Sequence, residues 1–274
     1  LDTRCAKYIE RMQREAGAEI VRQAGGPPSF NHGPKILWWK HERPDVYARI
    51  RSFVQPGGYA AMRLCGLPAR EAFIDPTYLH FSGFADNARL AWDSELCRRF
   101  GVDPEVLPRI VDSRQVVGGL SREAGEACGL RPGTPVVAGC GDTAASFLSC
   151  GATREGISVD VAGTASVFAT TVSTLRPDVE NRVLACGRST QPGLWHPYAY
   201  INGGGMNLEW FLKDIAGGAD YAGLDREADS LPPREDAPLF VPHLGGRVCP
   251  SQPALRGAWL GPSWSHGRGH LYRA

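Results

Sequence analysis

Hydrophobic and polar positions follow two different patterns along this chain, and the change falls near residue 134. In "DTRCAKYIERMQREAG" apolar residues recur at helical spacing, and Gly17 predicts the end of that helix. "PKILWWKHERPDVYARI" predicts a shorter amphipathic helix, interrupted at Pro44 and restarted at Asp45. In "FVQPGGYAAMRLCG" the pattern predicts a short strand, a turn at Pro56-Gly57-Gly58 and a helix closing at Gly66. "AWDSELCRRFGV" and "SREAGEACGL" predict two surface helices, the second capped by Ser121, with Glu123 in the first turn where the helix dipole favours an acid.

After "LRPGTPVVAGCGD" the runs become short and β-rich. "PVVAGC", "GISVDVAG", "SVFATTV", "VLACGRS" and "LWHPYAYI" are each bounded by Gly, Pro or polar turns, and a helix, "GMNLEWFLKDI", follows a glycine triplet. These patterns predict a mostly helical region over residues 1–134 and an α/β region over 135–274, divided in the Pro/Gly turn of "RPGTP".

Composition narrows the function classes. The 274 residues carry 30 basic and 29 acidic side chains, a net charge of +1, so no strong field invites nucleic acid or an anionic membrane. No apolar run approaches the roughly 18 to 20 residues of a membrane span, and "LDTRCAKYIE" lacks the apolar core of a secretory signal. A cytoplasmic location is expected. The eight cysteines are scattered, without a C-x-x-C pair or a histidine spaced for zinc, which predicts reduced structural thiols and no metal site.

Candidate chemistry gathers in the second region. Asp142 stands where an apolar run breaks at Gly139 and Gly141 and a helix begins; a carboxylate at a strand end facing a cleft is well placed to accept a proton. Three glycine-rich turns, Gly139 to Asp142, Gly163-Thr164 and Gly203-Gly204-Gly205, are separated by strands. Glycine lets backbone approach a ligand closely, and amides in a tight turn suit phosphate oxygens, so the three together suggest a polyphosphate site; ordinary hairpins would use glycine too. Adjacent residues leave a helix on different sides, so one of Trp38 and Trp39 is expected in the core and the other could stack on a ligand. His196 and His243 are expected to be satisfied structural residues.

The stretch "PVVAGCGDTAASFLSCGATREGISVDVAGTAS" resembles the strand, aspartate, helix and "GT-S" hairpin of the FGGY carbohydrate kinases. "LDTRC", "PKILWWKHERPDVY", "LPRIVDSRQVVGGL", "INGGGMNLEWFLKDI" and "PLFVPHLGGRVCPSQPALRGAWLGPSWSHGRGHLYRA" are similar to further segments of that family, in the same order. The resemblance implies an actin-like, ribonuclease-H-like α/β fold with two domains and a cleft between them. Residues 1–134 would be the later part of the sugar-binding domain and 135–274 the earlier part of the nucleotide-binding domain. It implies ATP-dependent phosphorylation of a ketopentose such as xylulose, or a related sugar or polyol, with Mg²⁺, and it allows a homodimer.

Carried over to this chain, the resemblance makes Asp142 the general base and places Thr143 and Phe30 with it at the substrate. Gly163, Thr164, Gly205 and Glu209 fall at ATP-contacting positions, with the charge of Glu209 standing where some relatives have Gln. Asp2 and Arg4 match a segment near the substrate cleft, against the plain alternative of a surface ion pair. The chain starts after the family's Asp-x-Gly-Thr hairpin and stops before its closing Gly-Gly-rich segment. On that ground a central piece, inactive as it stands, is expected; the rival expectation is a non-catalytic remnant that keeps a sugar-binding or subunit-contact surface.

Overall fold

A computed structural model of the chain describes residues 2–247 and 252–274; Cys249 and its neighbours in the "GGRVCPSQP" segment lie outside the described residues. The chain divides into two compact units, residues 1–159 with 169–199, and residues 160–168 with 200–274.

The first unit is organised by helix α1 (Ala6–Ala24). Its buried stripe of Tyr8, Met12, Ala16, Ile20 and Ala24 packs with Leu37, Phe84, Leu96 and Phe100 in one core. The helix does not stop at Gly17. Ala16 leaves helical geometry at φ −152°, Gly17 is buried, and the helix runs on to Gly25, whose φ of 97° suits a left-handed glycine cap. A helical glycine costs about 1 kcal/mol, whereas burying Ile20 and Val21 returns roughly 1.5–3 kcal/mol each, so the continued stripe prevails.

Helix α2 (His32–Glu42) follows, and the chain restarts at Pro44 in α3 (Pro44–Tyr47). The Pro56-Gly57-Gly58 stretch is not a turn but the first turn of α4 (Pro56–Cys65), with proline at a position whose N–H has no partner to lose. Gly58 is buried there, and a Cβ would lie 3.0 Å from the Phe73 carbonyl oxygen, which favours glycine. Gly66, at φ 68°, ends α4 as expected.

Short two-stranded ladders tie the unit together. β1 (Phe73–Ile74), β2 (Ala85–Asp86), β3 (Ala91–Trp92) and β4 (Arg109–Ile110) form a parallel β1/β4 pair and an antiparallel β2/β3 pair. Helix α5 (Ser94–Phe100) is capped by Asp93. β5 (Val116–Gly119) pairs antiparallel with β6 (Pro135–Val137), and between them α6 (Arg122–Cys128) is capped by Ser121, whose Oγ accepts from Ala124 N at 3.1 Å. The Pro/Gly turn near residue 134 is therefore stitched into the first unit on both sides, with Leu120 N donating to Thr134 O at 2.8 Å. Helix α7 (Asp142–Ser149) comes next.

Strands β7 (Ser158–Ala162), β8 (Ser166–Thr170), β9 (Ala185–Arg188) and β10 (Trp195–Ile201) form a sheet of order β7-β8-β10-β9. The chain passes between the units in β7, β8 and β10. In the second unit α8 (Gly204–Trp210) runs into a wider turn over Phe211–Ile215, and Phe211 packs with Leu224 of α9 (Tyr221–Asp229). Trp259, in the β11 (Leu239–Val241) and β12 (Ala258–Leu260) hairpin, and Leu271 of α10 (Arg268–Arg273) pack against that core. No helix among the described residues is long and apolar enough to cross a membrane. The seven cysteines among them are free thiols.

Buried histidines make the first unit sensitive to acid. His80 meets Tyr198 Oη through Nε2 at 2.8 Å, and burial, helped by the nearby His32, pushes its pKa down to about 3; burial pushes His196 down to about 4. The folded chain keeps both neutral while the unfolded chain protonates them near pH 6.5. Their contribution is complete above that pH and is lost as pH falls towards the folded values, at up to about 1.4 kcal/mol per pH unit for each ring. Urea unfolding followed at pH 7 and pH 5 should give a lower midpoint at pH 5; an unchanged midpoint contradicts this account.

Candidate active site

Asp142 opens α7 and is exposed. The preceding chain, Ala138 to Gly141, leaves the β6 pairing and needs glycine in two different ways. Gly139 sits at φ 76°, where a side chain would strain the backbone, although nothing occupies the space around it. Gly141 is extended at φ −62°, but a Cβ there would approach Thr77 Oγ1 and the Tyr78 ring at 3.3 Å. The aspartate is thus presented by a backbone packed on one side and open on the other.

One carboxylate oxygen of Asp142, Oδ1, accepts from Thr143 N at 2.8 Å; Oδ2 has no hydrogen-bond partner among the described residues. The Thr143 hydroxyl is likewise without a partner there, and its side chain is half-buried. Tyr78, also half-buried, has its phenol pKa pushed up by burial and then by the charges of Asp142 and Asp75. Phe30 is half-buried just before α2, in a segment where Asn31 Nδ2 donates to Ser29 Oγ at 2.6 Å.

Below the loop lies a network to which no sequence pattern points. Asp75, 5% exposed, accepts at Oδ1 from Thr77 N at 2.9 Å, from Thr77 Oγ1 at 2.5 Å and from Ser113 Oγ at 3.2 Å. Thr77 Oγ1 in turn accepts from Gly141 N at 2.9 Å, and Ser113 O accepts from Gly139 N at 3.0 Å. Burial pushes the Asp75 pKa up while its donors pull it back, leaving it above the ordinary value. "DPT" after an apolar pair is legible as a helix cap, but its partner 64 residues away is not.

In the second unit the Gly163-Thr164 and Gly203–Gly205 turns come together. Gly163 N donates to Ala165 O at 2.8 Å, closing a tight turn, and Gly205 N donates to Gly163 O at 2.7 Å. Met206 N donates to Thr164 O at 3.3 Å. The Gly205 amide is thus committed to the neighbouring turn, and the reason for glycine there is space: a Cβ would lie 2.8 Å from Gly163 O. Gly163, Thr164, Gly205 and Glu209 are all exposed. Beside the turns, a cavity of about 230 Å³ is lined by Gly203, Gly204, Asn207, Phe240 and Trp259, among others. Among the described residues no group of three or more His, Cys, Asp or Glu could hold a metal ion.

Trp38 packs against the first core with the Arg4 guanidinium 4.2 Å above its ring, and Arg4 also pairs with Asp2 at 2.8 Å. Trp39 lines a separate cavity of about 270 Å³ with His32, Lys35 and Gln55. His196 Nδ1 meets Thr171 Oγ1 at 3.4 Å. His243 does not fit the expectation of a satisfied ring, because its buried Nδ1 has no partner among the described residues.

A sequence profile described as "FGGY family of carbohydrate kinases, N-terminal domain" matches residues 1–149. The chain belongs to the FGGY family of carbohydrate kinases. Gluconokinase of Bacillus subtilis (strain 168) is 26% identical over 286 aligned residues, covering 100% of this chain and 55% of that protein. Xylulose kinase of Lactococcus lactis subsp. lactis (strain IL1403) is 27% identical over 249 residues, 88% of this chain and 47% of that protein. Among solved structures, xylulose kinase from Rhodospirillum rubrum superposes with a TM-score of 0.85 at 27% identity, over 99% of this chain and 55% of that one. The chain spans about half the length of the curated relatives it matches. Its fold is the actin-like, ribonuclease-H-like α/β fold of the FGGY sugar kinases.

The contact between the glycine turns yields a direct test. Gly205→Ala drives a methyl group against a backbone carbonyl and should cost roughly 1–3 kcal/mol. Gly57→Ala, in open space on α4, should cost nothing. Unfolding of the two variants, followed by tryptophan fluorescence in urea, distinguishes them; equal stability would mean that the two turns are not held together.

Proposed function

We propose that this chain takes part in phosphoryl transfer from ATP to a hydroxyl group of a sugar or polyol, with Asp142 as the general base. The observation that carries the proposal is the state of the Asp142 carboxylate: exposed at a helix start, one oxygen held by Thr143 N and the other without a partner. Membership of the FGGY family supplies the reaction class.

In this reading Asp142 Oδ2 takes the proton of the substrate hydroxyl as its oxygen attacks the γ-phosphorus of ATP. The unpartnered Thr143 hydroxyl binds a second substrate hydroxyl, and the Phe30 ring covers an apolar face of the sugar. Gly163 and Thr164 approach the phosphate chain. Gly205 acts by holding the Gly163 turn in shape, and Glu209 lies along the nucleotide. Residues 1–134 then belong to the sugar-binding domain and 135–274 to the nucleotide-binding domain. Most of the rate in such a transfer comes from positioning and charge stabilisation, so the base accounts for only part of it.

The substrate class is a ketopentose such as xylulose, or a related sugar or polyol; similarity to gluconokinase adds a sugar acid to the panel worth measuring. In a full-length version that carries these residues, Asp142→Asn keeps the shape of the side chain and removes the base. It should lower kcat for sugar-dependent ADP formation by roughly 10² to 10⁴ and leave the sugar KM within a few-fold. A rate within a few-fold of the unsubstituted protein, across pentuloses, polyols and gluconate, would sink the assignment and leave Asp142 as the first residue of a helix.

A further inference from the structure

Asp75 is more heavily bonded than its local role requires. As the cap of the 3-10 turn Pro76–Phe81 it needs one oxygen and one amide, and the bond from Thr77 N supplies both. Yet the same oxygen also takes the Thr77 and Ser113 hydroxyls, and no cation pairs with this carboxylate among the described residues. A buried carboxylate held by neutral donors alone is costly, so its placement calls for a use beyond a six-residue turn.

That use follows from counting protons. A threonine hydroxyl has one proton to give, and Thr77 gives it to Asp75. Its lone pairs are then the only groups left to face Gly141 N, which they meet at 2.9 Å. The negative acceptor therefore sets the direction of the hydroxyl and strengthens the bond it receives. Ser113 works in parallel, with its hydroxyl on Asp75 and its carbonyl on Gly139 N. Two amides that flank Cys140 are thus tied, through Thr77 and Ser113, to one buried oxygen, and Asp142 is the next residue along. The Tyr78 ring packs against Gly141 beside Thr77.

We propose that Asp75 and Thr77 are positioning residues for Asp142: a carboxylate-oriented hydroxyl that grips the Gly141 amide and fixes where the base enters the site. The inference rests on the reading of Asp142 as the general base. Displacing a reacting group by about 1 Å can cost on the order of 10² in rate, so the grip is felt in the chemical step while sugar binding is largely spared.

Thr77→Val removes the hydroxyl and keeps the shape, and Thr77→Ser restores it. In sugar-dependent ADP formation by a full-length version that carries these residues, Thr77→Val should lower kcat about 10- to 100-fold with the sugar KM within about 3-fold, and Thr77→Ser should return kcat to within about 3-fold. On the 274-residue chain, hydrogen exchange should be faster at the Gly141 amide in Thr77→Val and restored in Thr77→Ser. A purely structural loss would instead lower stability in proportion to activity and would not separate kcat from KM. If Thr77→Val does not fold, Ser113→Ala tests the same oxygen with an expected 3- to 10-fold loss in kcat at unchanged KM.

Thr77→Val at full kcat while Asp142→Asn is inactive would overturn the grip and leave the base intact. An active Asp142→Asn would overturn the base and this inference with it. Gly141 exchange unchanged in Thr77→Val would overturn the inference whatever the rates.

Discussion

The first unit depends on the burial of one helix stripe. α1 supplies Tyr8, Met12, Ile20 and Ala24 to the core, and the neighbouring elements find their places against it. A helix that ends inside a protein leaves carbonyl groups to be satisfied, and here tertiary partners do so. Asn87 N donates to Gln23 O at 2.9 Å, Asn87 Nδ2 to Ala24 O at 3.0 Å, and Cys186 N to Gly25 O at 2.7 Å. The end of α1 is thus the point where the β2–β3 loop and β9 are fastened. Gly25 and Gly26 lie too close to Cys186 O and His80 O to carry side chains, so the same corner fixes the turn over residues 76–81. That turn bears Thr77, which holds the loop before Asp142, and a core hydrophobic contact is in this way connected to the presentation of an exposed acid.

Much of this was legible as pattern where the decisive forces are local. Ser121 caps α6, Gly66 ends α4 in left-handed geometry, and the five β-rich runs contain strands, because each depends on a few neighbouring residues. Gly17 misleads because its local cost is outweighed by apolar burial on the following turn. Pro56-Gly57-Gly58 misleads because the sequence cannot tell a turn from a proline-started helix that needs a small residue against Phe73. At the site, Asp142 is conspicuous from its flanking glycines. Asp75 and Ser113 look like ordinary turn residues, since what distinguishes them is a meeting of segments far apart in the chain.

The glycines of the second unit carry a related lesson. Gly163 and Gly205 read alike in sequence, as residues that free an amide for a ligand. In the fold both amides are spent within the protein, Gly163 N on Ala165 O and Gly205 N on Gly163 O, and Gly205 is glycine for lack of room. A glycine-rich pattern is thus two kinds of constraint written with one letter: conformational at Gly139, steric at Gly141 and Gly205. Which one applies decides whether alanine strains the backbone or pushes a neighbour away.

The discontinuous first unit bears on how the chain is made. Synthesis at about 5–20 residues per second delivers α1 early, but β9, which satisfies Gly25 O, follows some 160 residues later, a delay on the order of ten seconds. Through that interval the carbonyl of Gly25 is without Cys186 N, although the partners of the α1 stripe, all at or before Leu107, have already been made. Residues 160–168 emerge before the unit that precedes them is complete, and must wait for residues 200–274 to arrive. Folding on the ribosome therefore cannot proceed as one finished unit after another: the β7–β8 segment has to remain uncommitted until residues 200–274 follow.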